Sequence, residues 1–152
     1  MRIVMAFPGT GKTYLKRQAG ASVMDLDSSG FRKTENWEEH YVDIVETIIR
    51  ENRFDLLLLS MYTRIMEIMS ERGISFEAVI PHSGDEKTNR MIKEMMFGRY
   101  TLRDNSHIRH IGSWFSKMKE CYDEWTDPEE IMKYTDKVKF IDLEHPYLDD
   151  VL

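Results

Sequence analysis

Seven consecutive residues, Phe7-Pro8-Gly9-Thr10-Gly11-Lys12-Thr13, bring together the groups needed to hold a chain of phosphates. Gly9 and Gly11 permit backbone angles that a side chain forbids, so successive N–H groups can turn inward as a nest for anionic oxygens. A helix starting at Lys12 aims its positive end at the same point. Lys12 is long enough to reach β- and γ-phosphate oxygens, and the Thr13 hydroxyl suits a Mg²⁺ ion. The candidate nucleotide-binding set is therefore Pro8, Gly9, Thr10, Gly11, Lys12, Thr13 and Tyr14. Ala6 stands where the strict pattern opens with glycine, a common substitution. A chance Gly-Lys-Thr at an ordinary helix start is the alternative. The strand-forming run Arg2-Ile3-Val4-Met5-Ala6 and the Pro-Gly-Thr-Gly turn argue against it, because strand, glycine-rich turn and helix form the context that a phosphate-binding loop requires.

A second chemical cluster is Asp25-Leu26-Asp27-Ser28-Ser29-Gly30, after the strand candidate Ala21–Met24. Ligands in open α/β sheets sit at the carboxyl ends of the strands. There, one of Asp25 and Asp27 would accept the proton of an attacking hydroxyl. The other would hold Mg²⁺ through water or orient the acceptor. Asp27 is the candidate for the metal, and Asp27 and Ser28 are candidates for the acceptor. The same residues also make a plain turn in which Asp27 or Ser28 caps the next segment.

Three arginines complete the candidate set. Arg64 opens the helix after the third strand and would clamp a substrate phosphate, or be a solvated surface residue. Arg90 and Arg99 belong to a basic stretch with Lys87, Lys93 and Arg103. A helix-and-loop excursion there, about residues 82–105, would close as a lid over the phosphates and stabilise developing charge. Glu86, Glu94 and Asp104 make a charged solvent face the competing reading. His82, just past the fourth strand, would contact a base or ribose or be merely solvated, and the pair His107 and His110 is read as surface histidines, since no third metal ligand accompanies it.

The elements that must position these residues follow from hydrophobic patterning. Lys12–Gln18 reads as helix ending near Gly20. Trp37–Arg50 is amphipathic, with Trp37, Tyr41, Ile44, Val45, Ile48 and Ile49 on one face. Phe54–Ser60 is a continuous apolar run suited to a strand buried on both faces. It ends without a carboxylate, which weakens a motor-type ATPase reading. Met61–Arg72 reads as helix closed by Gly73, and Phe76–Pro81 as the fourth strand. Asp85–Phe97 reads as helix ending at Gly98. Asn105 or Ser106 would cap a helix running to about Trp125, with Ile108, Ile111, Phe115, Met118 and Tyr122 on one stripe. Asp127-Pro128-Glu129 begins a short helical turn, Val138–Ile141 is the last strand, and the tail docks a short helix. Five strand candidates alternating with helices argue for a parallel α/β sheet with right-handed crossovers.

The 152 residues suit one domain, 1–152. A net charge of −6 offers no overall attraction to nucleic acid or anionic membrane, although a local basic cleft would still admit a polynucleotide. Cys121 is the only cysteine, so no internal disulfide forms and a reducing cytoplasm fits. No apolar run approaches the ~20 residues that span a bilayer. The apolar start breaks into the glycine-rich loop, unlike a signal peptide. The eleven methionines are scattered and read as fillers of core gaps.

The loop Ala6–Thr13, the second strand ending in Asp25-Leu26-Asp27 and the basic helical stretch after the fourth strand resemble the P-loop kinases of small molecules and nucleoside monophosphates. The chain is most similar to small, often phage-encoded members with the same Asp-x-Asp-Ser-Ser and a Tyr-Leu-x-Asp ending, here Tyr147-Leu148-Asp149-Asp150. The resemblance implies the P-loop NTPase fold: a five-stranded sheet in the order 2-3-1-4-5, helices on both faces and a small helical lid. It also implies ATP with Mg²⁺ and transfer of the γ-phosphoryl group to a bound acceptor. By it Lys12 and Thr13 take the phosphate and Mg²⁺ roles, Asp25 and Asp27 the acceptor side, and Arg90 and Arg99 the lid. Where nucleoside monophosphate kinases carry Asp-Gly-x-Pro-Arg, this chain has Ser60-Met61-Tyr62-Thr63-Arg64. The Asp-x-Asp is shared with shikimate- and gluconate-type kinases and with 5′-hydroxyl polynucleotide kinases. The expected activity is phosphoryl transfer to a nucleotide or deoxynucleotide. The alternatives are a polynucleotide 5′-kinase and a nucleotide-binding module without kinase activity.

Overall fold

Leu57, Leu58 and Leu59 are each fully buried because their strand, β3 (Leu56–Ser60), is interior to the sheet and covered on both faces. A computed structural model describes residues 1–102 and 111–152. In it β1 (Arg2–Ala6), β2 (Val23–Leu26), β3, β4 (Glu77–Pro81) and β5 (Val138–Ile141) form one all-parallel sheet in the order β2-β3-β1-β4-β5. Parallel neighbours need crossovers. These are supplied by α1 (Lys12–Ala19), α2 (Trp37–Glu51), α3 (Thr63–Glu71), and α4 (Glu86–Leu102) with α5 (Ile111–Trp125) and α6 (Pro128–Ile131). A last short helix, α7 (Leu148–Val151), follows β5.

Side-chain alternation along the strands divides the core in two. Met5, Phe7, Leu57, Leu59, Ala78 and Ile80 face the larger cluster with buried residues of α2, α3, α4 and α5. Val4, Ala6, Leu58, Val79 and Ile141 face the smaller one, closed by Leu15 of α1 and Leu148 of α7. Both sheet faces are therefore covered, as a parallel sheet requires. Met5, Met61, Met66, Met69, Met96 and Met118 are buried, so about half of the methionines do fill the core.

The structure corrects two boundaries that matter for the site. Gly20–Ser22 is a 3₁₀ turn and β2 runs Val23–Leu26, so Asp25 lies inside the strand, opposite Leu58, rather than beyond it. Helix α4 does not stop at Gly98 but continues to Leu102, which makes Arg99 helical. A mid-helix glycine costs about 1 kcal/mol relative to alanine, and the buried Met96 and Tyr100 on either side of it offset that cost. The described part of the expected lid is thus a helix packed into the core through Ile92, Met96 and Tyr100. Arg103, Asp104, the expected caps Asn105 and Ser106, Ile108, His107 and His110 lie outside the described residues. Among the described residues no helix is long and apolar enough to cross a membrane.

Candidate functional site

The glycine-rich loop leaves the carboxyl end of β1, the central strand, and enters α1 through Gly11. Gly9 has φ 88° and Gly11 φ 101°, so both use the left-handed freedom that glycine alone supplies cheaply. Thr10 between them is fully buried, and its Oγ1 donates to the Phe7 carbonyl at 2.8 Å.

Three consecutive loop carbonyls are anchored by the surrounding fold. Tyr100 Oη donates to Pro8 O at 2.7 Å, Arg99 Nη1 to Gly9 O at 2.9 Å, and the Leu148 amide to Thr10 O at 2.8 Å. In a trans peptide the C=O and the following N–H point in opposite directions, and no described peptide is cis. Fixing these carbonyls therefore turns the N–H groups of Gly9, Thr10 and Gly11 away from their respective anchors. Arg99 also donates to Pro146 O at 2.6 Å and lies 4.2 Å over the Tyr147 ring, which joins α4 to the segment before α7.

Electrostatics at the loop favour an anion. The helix α1 begins with Lys12, carries no acidic residue in its first turn and has no side-chain cap at Gly11. A cation at a helix N-terminus opposes the macrodipole; by contrast, α2, α6 and α7 all place acids there. Lys12 is half-buried, and its Nζ donates to Ala6 O at 3.0 Å, back toward the end of the strand. Thr13 and Tyr14 are exposed on the first turn of α1.

Across the sheet, β2 carries the two carboxylates. The pairing register sets Asp25 level with Leu58 and Val4, two residues below the sheet's carboxyl edge. Asp27 sits just past the strand end, two strands from β1, or about 10 Å in the hydrogen-bonding direction. Its side chain accepts from Ser29 N at 3.0 Å, the capping role that the local sequence allowed. Asp27 is exposed whereas Asp25 is half-buried. Ser28 is buried, and its amide donates to Ser60 Oγ at 3.0 Å, which joins the ends of β2 and β3. Tyr41 lies behind this seam. Its Oη donates to Leu26 O at 2.6 Å and accepts from Ser60 N at 3.0 Å. Burial drives the Tyr41 phenol well above its ordinary pKa, so it stays protonated and keeps its donor.

The remaining predicted arginines stand apart. Arg64 is held on the outer side of α3 by Glu67 at 2.7 Å, Glu39 at 3.6 Å and Glu71 at 3.8 Å, which is the surface alternative. Arg90 is 70% exposed and lies 3.9 Å from Glu86. Nine residues separate it from Arg99, about 14 Å along the helix and half a turn out of phase. The two therefore do not act together as one clamp. Arg99 reaches the loop, but through its carbonyls rather than across its mouth.

Sequence reasoning missed Tyr100, Lys33 and Lys117. Lys33 Nζ bonds the Ser28 carbonyl and lies 4.0 Å over Trp37, beside Phe31 and Tyr62. The proximity of Phe31, Lys33 and Trp37 in sequence was the available signal. The Tyr-Leu-x-Asp ending was legible as a motif, and its work is now visible: Tyr147 N donates to Asp150 Oδ2 at 2.9 Å, and Leu148 N binds the loop.

These residues fit a nucleotide phosphate chain: outward-anchored carbonyls, an acid-free helix start and a lysine at that start. Among the described residues no group of three His, Cys, Asp or Glu is placed to hold a metal by itself. A Mg²⁺ ion would rest on Thr13 and on phosphate oxygens, with Asp27 acting across water. No protein-family model, curated protein or solved structure matches the chain.

Proposed function

We propose that this chain is an ATP- and Mg²⁺-dependent phosphotransferase of the P-loop kinase type, acting on a small acceptor of the nucleotide class. The observation that carries the reading is the anchoring of the Pro8, Gly9 and Thr10 carbonyls, which orients three successive N–H groups beside a helix start that lacks an acid. ATP supplies the phosphoryl group, and Mg²⁺ neutralises the oxygens between which it passes. The loop amides and Lys12 hold the β- and γ-phosphates. Thr13 offers its hydroxyl to the metal. Asp27, exposed at the end of β2, orients the acceptor and, for a hydroxyl acceptor, takes its proton. Asp25 lies deeper and supports that edge electrostatically. Most of the rate would come from positioning and preorganised charge.

The test is ATP consumption with Mg²⁺ against nucleosides, nucleoside monophosphates, small polyols and a 5′-hydroxyl oligonucleotide, alongside direct ATP binding. Acceptor-dependent turnover that disappears in Asp27→Asn supports the reading. Lys12→Ala should lower transfer below a tenth of wild type while the thermal transition of the free protein is retained. ATP binding without turnover on any acceptor would make the chain a nucleotide-binding module instead.

A further inference from the structure

Beside Asp27 stands a wall of rings that neither the loop nor the carboxylates explain. Trp37 and Tyr62 meet edge to face at 5.0 Å, Tyr62 and Trp125 at 5.2 Å, and Phe31 lies 6.5 Å from Trp37. The last turn of the wall is buried at Trp125, but Phe31, Trp37 and Tyr62 keep part of their surface open. Two ammonium groups approach the same Tyr62 ring: Lys33 Nζ at 6.0 Å and Lys117 Nζ at 5.4 Å from its centroid. Lys33 comes from the loop before α2 and Lys117 from α5, so two separate elements deliver like charges to one place.

That placement sets two like charges beside one ring. Burial lowers the Lys33 pKa, and the nearby Lys117 charge lowers it further. Asp27 and Glu38 offset this only in part. The Lys33 ammonium meets the Ser28 carbonyl and the Trp37 face. An anionic group entering between the two lysines relieves their repulsion, and a planar ring attached to it finds aromatic surface to stack on. Lys33 bonds the Ser28 carbonyl next to Asp27, the side on which the proposed function puts the acceptor.

We propose that Lys33 and Lys117 form the subsite that reads the acceptor's phosphate, with the Trp37–Tyr62 wall taking its base. The inference rests on the phosphotransferase reading for its purpose, though not for its test. A mononucleotide is favoured over an oligonucleotide because Glu35, Glu38 and Glu39 come soon after Lys33 in the chain and Glu38 acts electrostatically on Lys33 itself. The further phosphates of a longer strand would run onto these acids.

The experiment is calorimetric binding, without ATP, of the four deoxynucleoside monophosphates, the four deoxynucleosides and a 5′-hydroxyl hexathymidylate. The proteins are wild type, Lys33→Met, Lys117→Met, Lys33→Arg and Lys12→Ala. Methionine keeps the stem packed on the rings and removes the charge; arginine restores the charge. At least one monophosphate should bind ten-fold or more tightly than its nucleoside. Each Met variant should reduce that ratio at least five-fold, and Lys33→Arg should largely restore it. With no ATP present, a failure of the loop as an ATP site does not touch this result; a preference lost in Lys12→Ala but kept in both Met variants would put the phosphate at the loop and overturn the proposal. No binding, a ratio near one, or a ratio indifferent to both Met variants overturns the proposal. Lysine-dependent binding of the hexathymidylate that exceeds every monophosphate overturns it in favour of a polynucleotide.

Discussion

Arg99 Nη1 donates to the Gly9 carbonyl at 2.9 Å, and through its second nitrogen the same guanidinium grips the Pro146 carbonyl at 2.6 Å. One side chain thus ties the glycine-rich loop to both α4 and the C-terminal segment. Its charge is spent on orienting peptide groups rather than on meeting a phosphate, which makes it a positioning residue.

Replacing Arg99 by methionine should therefore weaken nucleotide binding without removing any group from the binding surface. Hydrogen bonds to charged groups contribute about 1.5–3 kcal/mol; partial exposure lowers the expectation to a roughly 5- to 30-fold rise in the ATP dissociation constant. Titration with a fluorescent ATP analogue would measure it. An unchanged constant would show that the loop holds its shape without the tie.

Gly9→Ala tests the same loop from inside. The added Cβ would stand 2.7 Å from Tyr100 Cε1 and 3.2 Å from Met96 Cε, on a residue with φ 88°. Strain and overlap together predict a loss of about 2–4 kcal/mol, read by urea unfolding. Tyr100→Ala in the same chain should recover part of the steric share but none of the backbone strain.

Tyr41→Phe removes a hydroxyl that serves two buried backbone groups, Leu26 O and Ser60 N. Leaving both without that partner should cost about 1–3 kcal/mol. Because the seam carries Ser28 and the end of β2, the acceptor Michaelis constant should rise more than that for ATP. Equal changes in the two would mean that the seam does not set the acceptor side.

At the opposite edge of the sheet, Arg2 binds Glu77 through two hydrogen bonds, at 2.9 and 2.8 Å. That bonding holds the Glu77 carboxyl below its ordinary pKa. A depressed acid contributes stability above its unfolded value, about 4.3, and loses it as pH falls through the folded value. Glu77→Gln should therefore lower stability at pH 7 by about 0.5–1 kcal/mol, a modest figure because Arg2 is 44% exposed. The difference from wild type should shrink below about pH 4. Thermal melts at pH 7 and pH 3 decide it.

Much of the scaffold was legible because its signals are local. Leu56–Leu59 announces an interior strand by being apolar without alternation, and Gly11-Lys12-Thr13 announces a loop by its own chemistry. Helix α4 shows where local reading stops. Gly98 looked like an end, whereas Met96 and Tyr100, buried against distant parts of the chain, carry the helix through it. Once the helix is continuous, its 3.6-residue period puts Arg90 and Arg99 on opposite sides, and a paired clamp is lost. By sequence alone Asp25 reads as lying past its strand, for a similar reason. The turn at Gly20–Ser22 delays β2, so its end falls at Leu26. Lys33 and Lys117 converge only in three dimensions, and nothing in either segment points to the other.

The bond from the Leu148 amide to the Thr10 carbonyl has a consequence for how the protein is made. Thr10 and Leu148 are far apart in the chain, so they leave the ribosome roughly 7–28 s apart at about 5–20 residues per second. Until then the nascent loop lacks one of its three carbonyl anchors. The fully anchored loop should consequently form only after Leu148 can fold back onto Thr10, rather than when the first strand and helix appear.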